Sequence, residues 1–436
     1  MTRSKKSVGF WTALVIFSLT GQIAWVVENM YFNVFIYEMF SASAEAISLM
    51  VAASAVSATL TTIVIGALSD KVGKRKIFIC GGYILWGVSI ASFSLIRLDV
   101  INALFPSVAS AASVGISLVI ILDCVMTFFG SSANDACFNA WLTDSTDSTN
   151  RGAAEGINAM MPLVAILAVF GGFMSFDLSK SESWTAIFLV IGVAVLIIGI
   201  LGIFLIRDPA VASEENKSCF KNIIYGFRPL VVRQNKTLYA AFVGFALFGI
   251  SIQIFMPYLI LYYSVSLALS NYVLIMAPAI LIASIVTAFY GRLYDKFGFE
   301  RSALPSIALL MAGYVILFIF KNIALVFIGS LLMMIGYLSG MAVFGALLRD
   351  RTPIGKAGMF QGLRIVSQVL IPGIIGPYIG AFVLRSAEKI TNDDGTQSFI
   401  PNENIFLAAL IAAVLVCAAL FVISRMLKKE KVNNEG

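Results

Sequence analysis

The chain has 436 residues, of which 59% are apolar and only 12% charged, and its mean hydropathy is +0.93. This composition excludes an ordinary soluble domain. Histidine is absent and the five cysteines are scattered along the chain, which excludes Ser-His-Asp and Cys-His catalysis and gives no sign of a metal site or a disulfide framework.

Apolar blocks of about 20 residues, the length that a helix needs to cross a bilayer, recur along the whole chain. The first block follows MTRSKK but runs well beyond the apolar part of a secretory signal, so we interpret it as a retained span. We predict an all-α polytopic membrane protein with twelve spans, near residues 10–38, 46–68, 77–96, 113–142, 157–176, 184–206, 237–263, 270–292, 303–320, 323–347, 359–384 and 404–427.

Span 1 contains polar side chains where apolar ones are expected, in the stretch GQIAWVVENMYFNVFIYE (21–38). A charged side chain at the bilayer centre costs about 2.5–3.5 kcal/mol on insertion scales, so such a residue points to a functional site. On a helix, Gln22, Asn29 and Asn33 fall on one line, and Glu28 borders it. The sequence therefore predicts a polar stripe on span 1.

Span 4 carries a similar polar face. Asp123, Thr127, Gly130, Asn134 and Trp141 fall close to one line along this helix. The spans of the second half contain no acidic residue in their interior. Because a buried carboxylate must be protonated, paired or bound to a cation, we expect the ion-coupling site in the N-terminal half.

A long polar connection near the middle, residues 207–236, separates two sets of six spans. We predict an N-terminal six-helix bundle at 1–206, a cytoplasmic linker at 207–236 with a short amphipathic helix, and a C-terminal bundle at 237–436. With the N-terminus in the cytoplasm, all but five of the 30 Lys and Arg residues lie on the cytoplasmic side, as the positive-inside rule requires. The net charge of +6 thus follows the membrane, and we expect no nucleic-acid partner.

The two halves share a repeated sequence. GALSDKVGKRK (66–76), after span 2, aligns without a gap on GRLYDKFGFER (291–301), after span 8, and DSTDSTNRGAAEG (144–156) aligns on DRTPIGKAGMFQG (350–362). The two matches occur in the same order at equivalent loops. The chain is therefore a duplicated six-helix unit.

The pattern G-x-x-x-D-[KR]-x-G-[KR]-[KR], complete at 66–75, resembles the signature loop of the major facilitator superfamily, and the resemblance covers nearly the whole chain. It implies two pseudo-symmetric bundles around a cavity that opens alternately to either side. It also implies a gating role for the loop residues, namely Gly66, Asp70, Lys71, Gly73, Lys74, Arg75, Asp144, Arg151, Asp295, Lys296 and Gly298. We expect the basic cluster to contact Asp144, and Asp70 to meet a helix N-terminus.

Two sequence stretches point to one branch of this superfamily. GQIAWVVEN in span 1 and NDACFNAWLTDSTDSTNRG (134–152) are similar to the glycoside-pentoside-hexuronide:cation symporters and the related sucrose-transporter-like proteins. This resemblance implies uptake of a sugar or another small polar solute with a proton or a sodium ion. We expect Glu28, Asp123 and Asn29 to bind the coupling cation. The expected solute contacts combine aromatic faces with hydrogen-bonding groups: Gln22, Trp25, Asn33, Tyr37, Asn134, Gln253 and Gln368.

Alternatives remain at this stage. Glu28 could form a structural ion pair with Arg364, and each aromatic residue could belong to an interfacial belt. The sequence PGIIGPYIG (372–380) in span 11 is similar to a motif that drug exporters carry in span 5, but span 5 of this chain lacks it, which counts against an exporter. A drug or metabolite:proton antiporter is kept as the second hypothesis. We expect no enzyme activity and no cofactor besides the coupling ion. The expected setting is a monomer in the lipid bilayer of a prokaryotic cell membrane, with both termini cytoplasmic.

Overall fold

The computed structural model describes residues 7–105, 110–146, 150–208, 225–269, 271–353, 357–392 and 395–435. The predicted fold class is confirmed, because these described residues include twelve helices that are long and apolar enough to cross a membrane. The chain forms two compact units, the N-terminal unit Met1–Phe220 and the C-terminal unit Lys221–Gly436. The division falls inside the segment predicted as a linker. Residues 209–224 of that segment lie outside the described part of the chain, and a short helix, Pro229–Gln234, follows them.

The six spans of the N-terminal unit, numbered 1 to 6, are Val8–Phe40, Ala44–Val72, Arg75–Leu95, Ala111–Asp144, Ala153–Phe173 and Ser181–Leu205. Spans 1 and 4 are interrupted by π-helical segments, Val27–Tyr31 and Ser131–Phe138. A short helix, Leu98–Leu104, lies between spans 3 and 4. Because π-helical turns are rare and frequently occur at functional sites, these two segments make spans 1 and 4 candidates for the functional site.

The six spans of the C-terminal unit, numbered 7 to 12, are Lys236–Ser266, Val273–Tyr290, Arg292–Ile319, Ile323–Arg351, Gly362–Leu384 and Asn404–Glu430. Spans 7 and 11 also contain π-helical segments, Tyr262–Ser266 and Val366–Leu370. A two-stranded antiparallel hairpin, Lys389–Thr391 and Gln397–Phe399, connects spans 11 and 12.

Glycines allow two pairs of helices to approach to backbone contact. In the N-terminal unit, a Cβ atom on Gly87 of span 3 would lie 2.6 Å from the carbonyl oxygen of Gly192 in span 6. In the C-terminal unit, a Cβ atom on Gly313 of span 9 would lie 2.8 Å from the carbonyl oxygen of Gly329 in span 10. In membranes the hydrophobic effect does not drive helices together, because the lipid is as apolar as the helix surface. Helices therefore associate by close packing, which small residues at the crossing allow.

Aromatic side chains fill the interior of each unit. Around span 6 of the N-terminal unit, Phe188 packs edge-on against Phe35 and Phe32, and its ring centroid lies 5.8 Å from that of Trp184. In the C-terminal unit, Tyr258, Tyr262, Tyr263 and Tyr314 are fully buried. Among the buried polar and charged side chains of the described residues, only Glu28 and Asp123 carry a carboxyl group.

Candidate functional site

Glu28 joins three helices of the N-terminal unit. It lies in the π-helical segment of span 1 and is only 7% exposed. Ser54 of span 2 and Thr127 of span 4 both approach its Oε1 atom, at 2.6 and 2.8 Å. The two hydroxyl oxygens lie 2.9 Å from each other. Three oxygen atoms from three spans thus form a closed triangle.

Two carboxylate oxygens beside this triangle are buried without a hydrogen-bond partner in the described part of the chain. They are Oε2 of Glu28 and Oδ1 of Asp123. Asp123 is 2% exposed and lies one helical turn from Thr127 on span 4. A buried carboxylate without partners costs free energy in its charged form, so this pair requires a proton or a cation.

The donor set fits a proton or a monovalent ion better than a transition metal. No group of three or more His, Cys, Asp or Glu residues that could hold a metal ion is found in the described ranges. The available ligands are two carboxylates and hydroxyl groups, and oxygen atoms suit hard cations. Glu28 and Asp123, which the sequence predicts as cation ligands, lie close enough to interact electrostatically.

Buried polar atoms without partners are distributed unequally between the two units. Within the described residues, the N-terminal unit holds all but one of them, and the exception is Ser264 Oγ in the C-terminal unit. Glu28 takes its described partners from its own unit, and both are neutral hydroxyls.

The remaining polar residues of span 1 fall into two groups. Asn29 is exposed and its amide donates to the carbonyl oxygen of Trp25 at 2.7 Å, so no described contact links it to Glu28 or Asp123. Gln22 is half-buried. Asn33 and Tyr37 are 1% and 4% exposed, and a solute could reach them only if the helices around them moved.

Asn134 is also an interior residue. It is 3% exposed, and its amide nitrogen donates to the hydroxyl of Tyr83 at 2.7 Å. The Tyr83 hydroxyl in turn donates to the carbonyl oxygen of Phe17 at 2.8 Å. This chain of hydrogen bonds ties spans 1, 3 and 4 together, which gives Asn134 a positioning role in this structure.

Trp25 lies beside a third carboxyl group. Its indole Nε1 faces Asp135 without completing an ordinary hydrogen bond. Ser131 donates to Oδ2 of Asp135 at 3.1 Å. The Trp25 ring packs on Trp86 with centroids 5.0 Å apart. Trp25 therefore presents an aromatic surface next to a carboxylate, which is compatible with its predicted solute contact.

The two glutamines predicted in the C-terminal unit lie at different heights. Gln253 of span 7 packs at Gly376 of span 11, and Gly249 packs at Pro372. The two helices therefore run in parallel, with Gln368 about two turns, or roughly 12 Å, from the level of Gln253. Both side chains are half-buried. The two residues therefore lie at different levels of the C-terminal unit, and their contact with one solute stays a prediction.

The predicted gating loop of the N-terminal unit is organised by Arg75. Its guanidinium forms ion pairs with Asp70 and, at 3.2 Å, with Asp144 at the end of span 4. It also donates to the hydroxyl of Ser69 at 2.5 Å. Arg75 is the cation that meets Asp144, while Lys71 and Lys74 are exposed.

Asp208, which the sequence analysis did not select, also contacts this loop. Span 3 begins at Arg75 without a side-chain N-cap of its own. Asp208, just after span 6, accepts a hydrogen bond from the backbone nitrogen of Lys76 at 2.8 Å. A carboxylate at this position satisfies a free N–H group of the first helical turn. Asp70, which we expected near a helix N-terminus, pairs with the side chain of Arg75, the first residue of span 3.

The equivalent loop of the C-terminal unit uses different chemistry. The repeat places Glu300 at the position of Arg75, so Asp350 cannot pair with an arginine there. Instead, the hydroxyl of Tyr294 donates to Oδ2 of Asp350 at 2.6 Å. Glu300 lies 3.6 Å from Lys428 of span 12. A carboxylate at the end of span 10 thus keeps a partner, but a neutral one.

The glycines of the two loops occupy equivalent positions. Gly73 has φ 69° and ψ 12°, and Gly298 has φ 73° and ψ −177°. Gly66 lies within span 2. Among the other predicted gating residues, Asp295 and Lys296 are exposed. The side chain of Arg151 lies outside the described part of the structure.

Ser54 and Tyr294 are further contact residues that the sequence analysis missed. Serine is common in transmembrane helices and tyrosine at their ends, so neither has a distinctive pattern. The repeat could have identified Tyr294, because the loss of arginine at position 300 leaves Asp350 in need of another donor. Ser54 could be found only from the packing of span 2 against spans 1 and 4.

The family model of the Major Facilitator Superfamily matches residues 10–377 and, in a second match, 274–436. No functionally curated protein matches the chain in sequence. Three solved structures illustrate its structural similarity, each covering most of both chains.

The nucleoside transporter NupG has a TM-score of 0.67 at 13% identity, covering 96% of this chain and 98% of its own. A bacterial homolog of the human lysosomal transporter Spinster has 0.70 at 15%, covering 98% and 99%. The xylose transporter XylE from E. coli has 0.68 at 14%, covering 94% and 97%. At these identities the similarity concerns the fold.

Proposed function

Since this chain belongs to the Major Facilitator Superfamily of transporters, we propose that it moves a small polar solute across the membrane together with a proton, and that Glu28 and Asp123 bind this proton. The observation that carries the proposal is the oxygen triangle of Glu28, Ser54 and Thr127. The solute enters the proposal only as a class, a sugar or another neutral polar molecule.

Counting hydrogens favours the proton. The two hydroxyls bring two hydrogens, and the triangle has three oxygen–oxygen edges. If Glu28 is ionised, both hydroxyls donate their hydrogens to its carboxylate. No hydrogen then lies between the oxygens of Ser54 and Thr127, and their lone pairs repel each other. A proton on Oε1 of Glu28 gives each edge one hydrogen and neutralises a buried charge. Protonated Glu28 is therefore the form that fits this geometry best.

A sodium ion is the second candidate for the coupling ion. Its support is the pair of buried, unpartnered oxygens on Glu28 and Asp123, which could act as carboxylate ligands. Direction also has two candidates. Uptake follows from the resemblance of span 1 and the end of span 4 to sugar:cation symporters, whereas proton-driven export of a drug or metabolite would use the same carboxyl pair.

The proposed solute class rests on the side chains that could contact a solute in the N-terminal unit. Trp25 offers an aromatic face beside the carboxylate of Asp135, and aromatic faces with nearby hydrogen-bond acceptors suit sugar rings. The structural neighbours include transporters of xylose and of nucleosides, which both contain a polar ring. We also propose that the protein is a monomer in a prokaryotic cell membrane. Both termini are placed in the cytoplasm because of the distribution of Lys and Arg residues.

The test uses purified protein in liposomes that contain a pH-sensitive dye. Xylose, lactose, methyl β-glucoside and uridine are added in turn, with sodium or with choline as the external cation. We expect at least one of these solutes to acidify the lumen of wild-type vesicles in choline. Glu28→Gln should abolish that signal, while Glu182→Gln, at an exposed position of span 6, should not change it.

Two results would count against the proposal. Solute-driven proton movement that is equal in wild type and Glu28→Gln would remove Glu28 from the coupling site. Uptake that requires sodium and leaves the dye unchanged would replace the proton by sodium. Counterflow tests the solute class, because vesicles loaded with an unlabelled solute exchange it for labelled solute only if that solute is a substrate. Exchange of a sugar supports the sugar symporter, and its absence favours the drug antiporter.

A further inference from the structure

Polar side chains occur at every fourth residue along span 4. The row consists of Asp123, Thr127, Ser131, Asp135, Asn139 and Thr143. Four residues of a regular α-helix turn by 400°, so each step would drift by about 40° and the row would wind around the helix. The π-helical segment Ser131–Phe138 turns by less per residue, because its hydrogen bonds join residues five apart. This segment counteracts the drift and keeps the row on one side.

Contacts along the row agree with this alignment. Ser131 donates to the Asp135 carboxylate at 3.1 Å. Asn139 donates to the carbonyl oxygen of Asp135 at 3.2 Å, and Thr143 donates to that of Asn139 at 3.0 Å. At the other end, Thr127 is part of the triangle with Glu28. The row therefore leads from the proposed proton site to the end of span 4.

From Ser131 toward the Thr143 end of the row, burial decreases. Asp123, Thr127 and Ser131 are buried, at 2%, 0% and 0% exposure. Asp135 is half-buried, and Asn139 and Thr143 are exposed. A proton released from Glu28 would thus find a second carboxyl group on its way to the surface, with two hydroxyl groups between the two acids.

We propose that Asp135 is a proton-relay residue, which passes protons between the Glu28 site and water at the Thr143 end of span 4. One proton leaves the carboxyl group of Glu28 and binds to the carboxylate of Asp135, through the hydroxyls of Thr127 and Ser131 and intervening water. Asp135 then releases that proton to water near Asn139. The inference rests on the proposed proton coupling at Glu28 and adds the route by which the site is filled and emptied.

The second half of the chain provides an internal comparison. Span 10 occupies the place of span 4 in the repeat, and it is an uninterrupted α-helix from Ile323 to Arg351. Its first acidic residue is Asp350, at the end of the helix. The acidic row and the π-helical segment therefore occur together in span 4 and are both missing from span 10, as expected if the segment serves to align the row.

The experiment measures how fast the buried carboxyl groups take up protons, and it needs no solute. Purified protein in lipid nanodiscs is subjected to a rapid pH jump, and infrared spectroscopy follows the carbonyl band of protonated carboxyl groups. The part of the band that Glu28→Gln removes reports Glu28. We expect Asp135→Asn to slow the rise of this part at least tenfold and to leave its final amplitude unchanged. Asp135→Glu should restore most of the rate, and Glu182→Gln should behave as wild type.

Equal rates in wild type and Asp135→Asn would overturn the relay. So would a fall in the final Glu28 amplitude that Asp135→Glu does not repair, because that result indicates that Asp135 only supports the packing of Trp25 and Ser131. If wild type shows no band that depends on Glu28, the proposed coupling site itself fails, and this result differs from both others.

A second measurement keeps Asp135 in place. Single cysteines at Asn139, Thr143 and Ser131 are introduced into a variant without native cysteines and treated with a charged, membrane-impermeant thiol reagent. We expect fast reaction at Asn139 and Thr143 and reaction at least tenfold slower at Ser131. If the cysteine at Asn139 is unreactive from both sides of the membrane, the row ends in lipid rather than in water, and no relay can operate.

Discussion

The paired loop glycines allow a sharp prediction, because they share a motif position but differ in backbone conformation. Gly73 lies in the left-handed region, with ψ 12°, whereas Gly298 has ψ −177° at a similar positive φ. Asparagine is several-fold enriched in the left-handed region, but the second conformation is used essentially by glycine alone. We therefore expect Gly73→Asn to be tolerated and Gly298→Asn to destabilise the protein.

The magnitude follows from the backbone alone. A Cβ atom on Gly298 would meet nothing within 4 Å, so no steric contact adds to the cost. The strained conformation costs about 1–3 kcal/mol for a residue with a side chain. At about 2–4 °C per kcal/mol for a unit of this size, Gly298→Asn should lower the melting temperature by about 2–12 °C. Gly73→Asn should change it by less than about 2 °C, since the residual strain is partly offset by the reduced entropy of the unfolded chain.

The assay is thermal unfolding of the purified protein in detergent, followed by tryptophan fluorescence. Gly66→Ala is the matched control, because Gly66 is helical and a Cβ atom there would lie 3.9 Å from the Cβ of Ala136, an ordinary contact. Equal shifts for the two asparagine variants, or a larger shift for Gly73→Asn, would refute the assignment of different conformations to the two loops.

Arg75→Lys keeps the charge but loses the planar group that serves three partners, so counterflow should show turnover reduced several-fold with little change in solute affinity; the opposite pattern would contradict a gating role. Tyr294→Phe removes the donor to Asp350. Because this hydrogen bond is exposed and water can replace the donor, the loss should be about 0.5–1.5 kcal/mol and should lower the melting temperature by about 1–6 °C. Gly87→Val should destabilise by at least about 1–3 kcal/mol through overpacking, whereas Gly171→Val, with nothing within 4 Å of its Cβ position, should have little effect on unfolding.

Hydropathy was sufficient to predict the twelve helices, because membrane-crossing helices need about 20 apolar residues whatever their neighbours are. The loop repeat was equally informative, since a positive φ limits the choice of residue at positions 73 and 298. Both the hydropathy of a span and the glycine of a loop motif are local patterns, because each depends on residues that are close together in the chain.

Contacts between distant parts of the chain were harder to predict. The helical projection placed Glu28 at the border of the polar stripe, and the structure shows why it differs from the stripe: its carboxylate meets Ser54 and Thr127 from two other helices. Asn134 has the right spacing for the polar face of span 4, but its amide is taken up by Tyr83. A projection assumes a regular helix and therefore fails across the π-helical segments, where Asp135 comes into line with Ser131.

The glycine crossings have a mechanical consequence. Spans 3 and 6 touch at backbone level around Gly87, and spans 9 and 10 do so around Gly313. Helices in such contact can neither slide past each other nor separate without losing many short contacts at once. Each pair is therefore expected to move as a rigid unit. Elastic deformation of either half must then be concentrated in its other helices, and the irregular turns of spans 1, 4, 7 and 11 are the places where those helices are most easily bent.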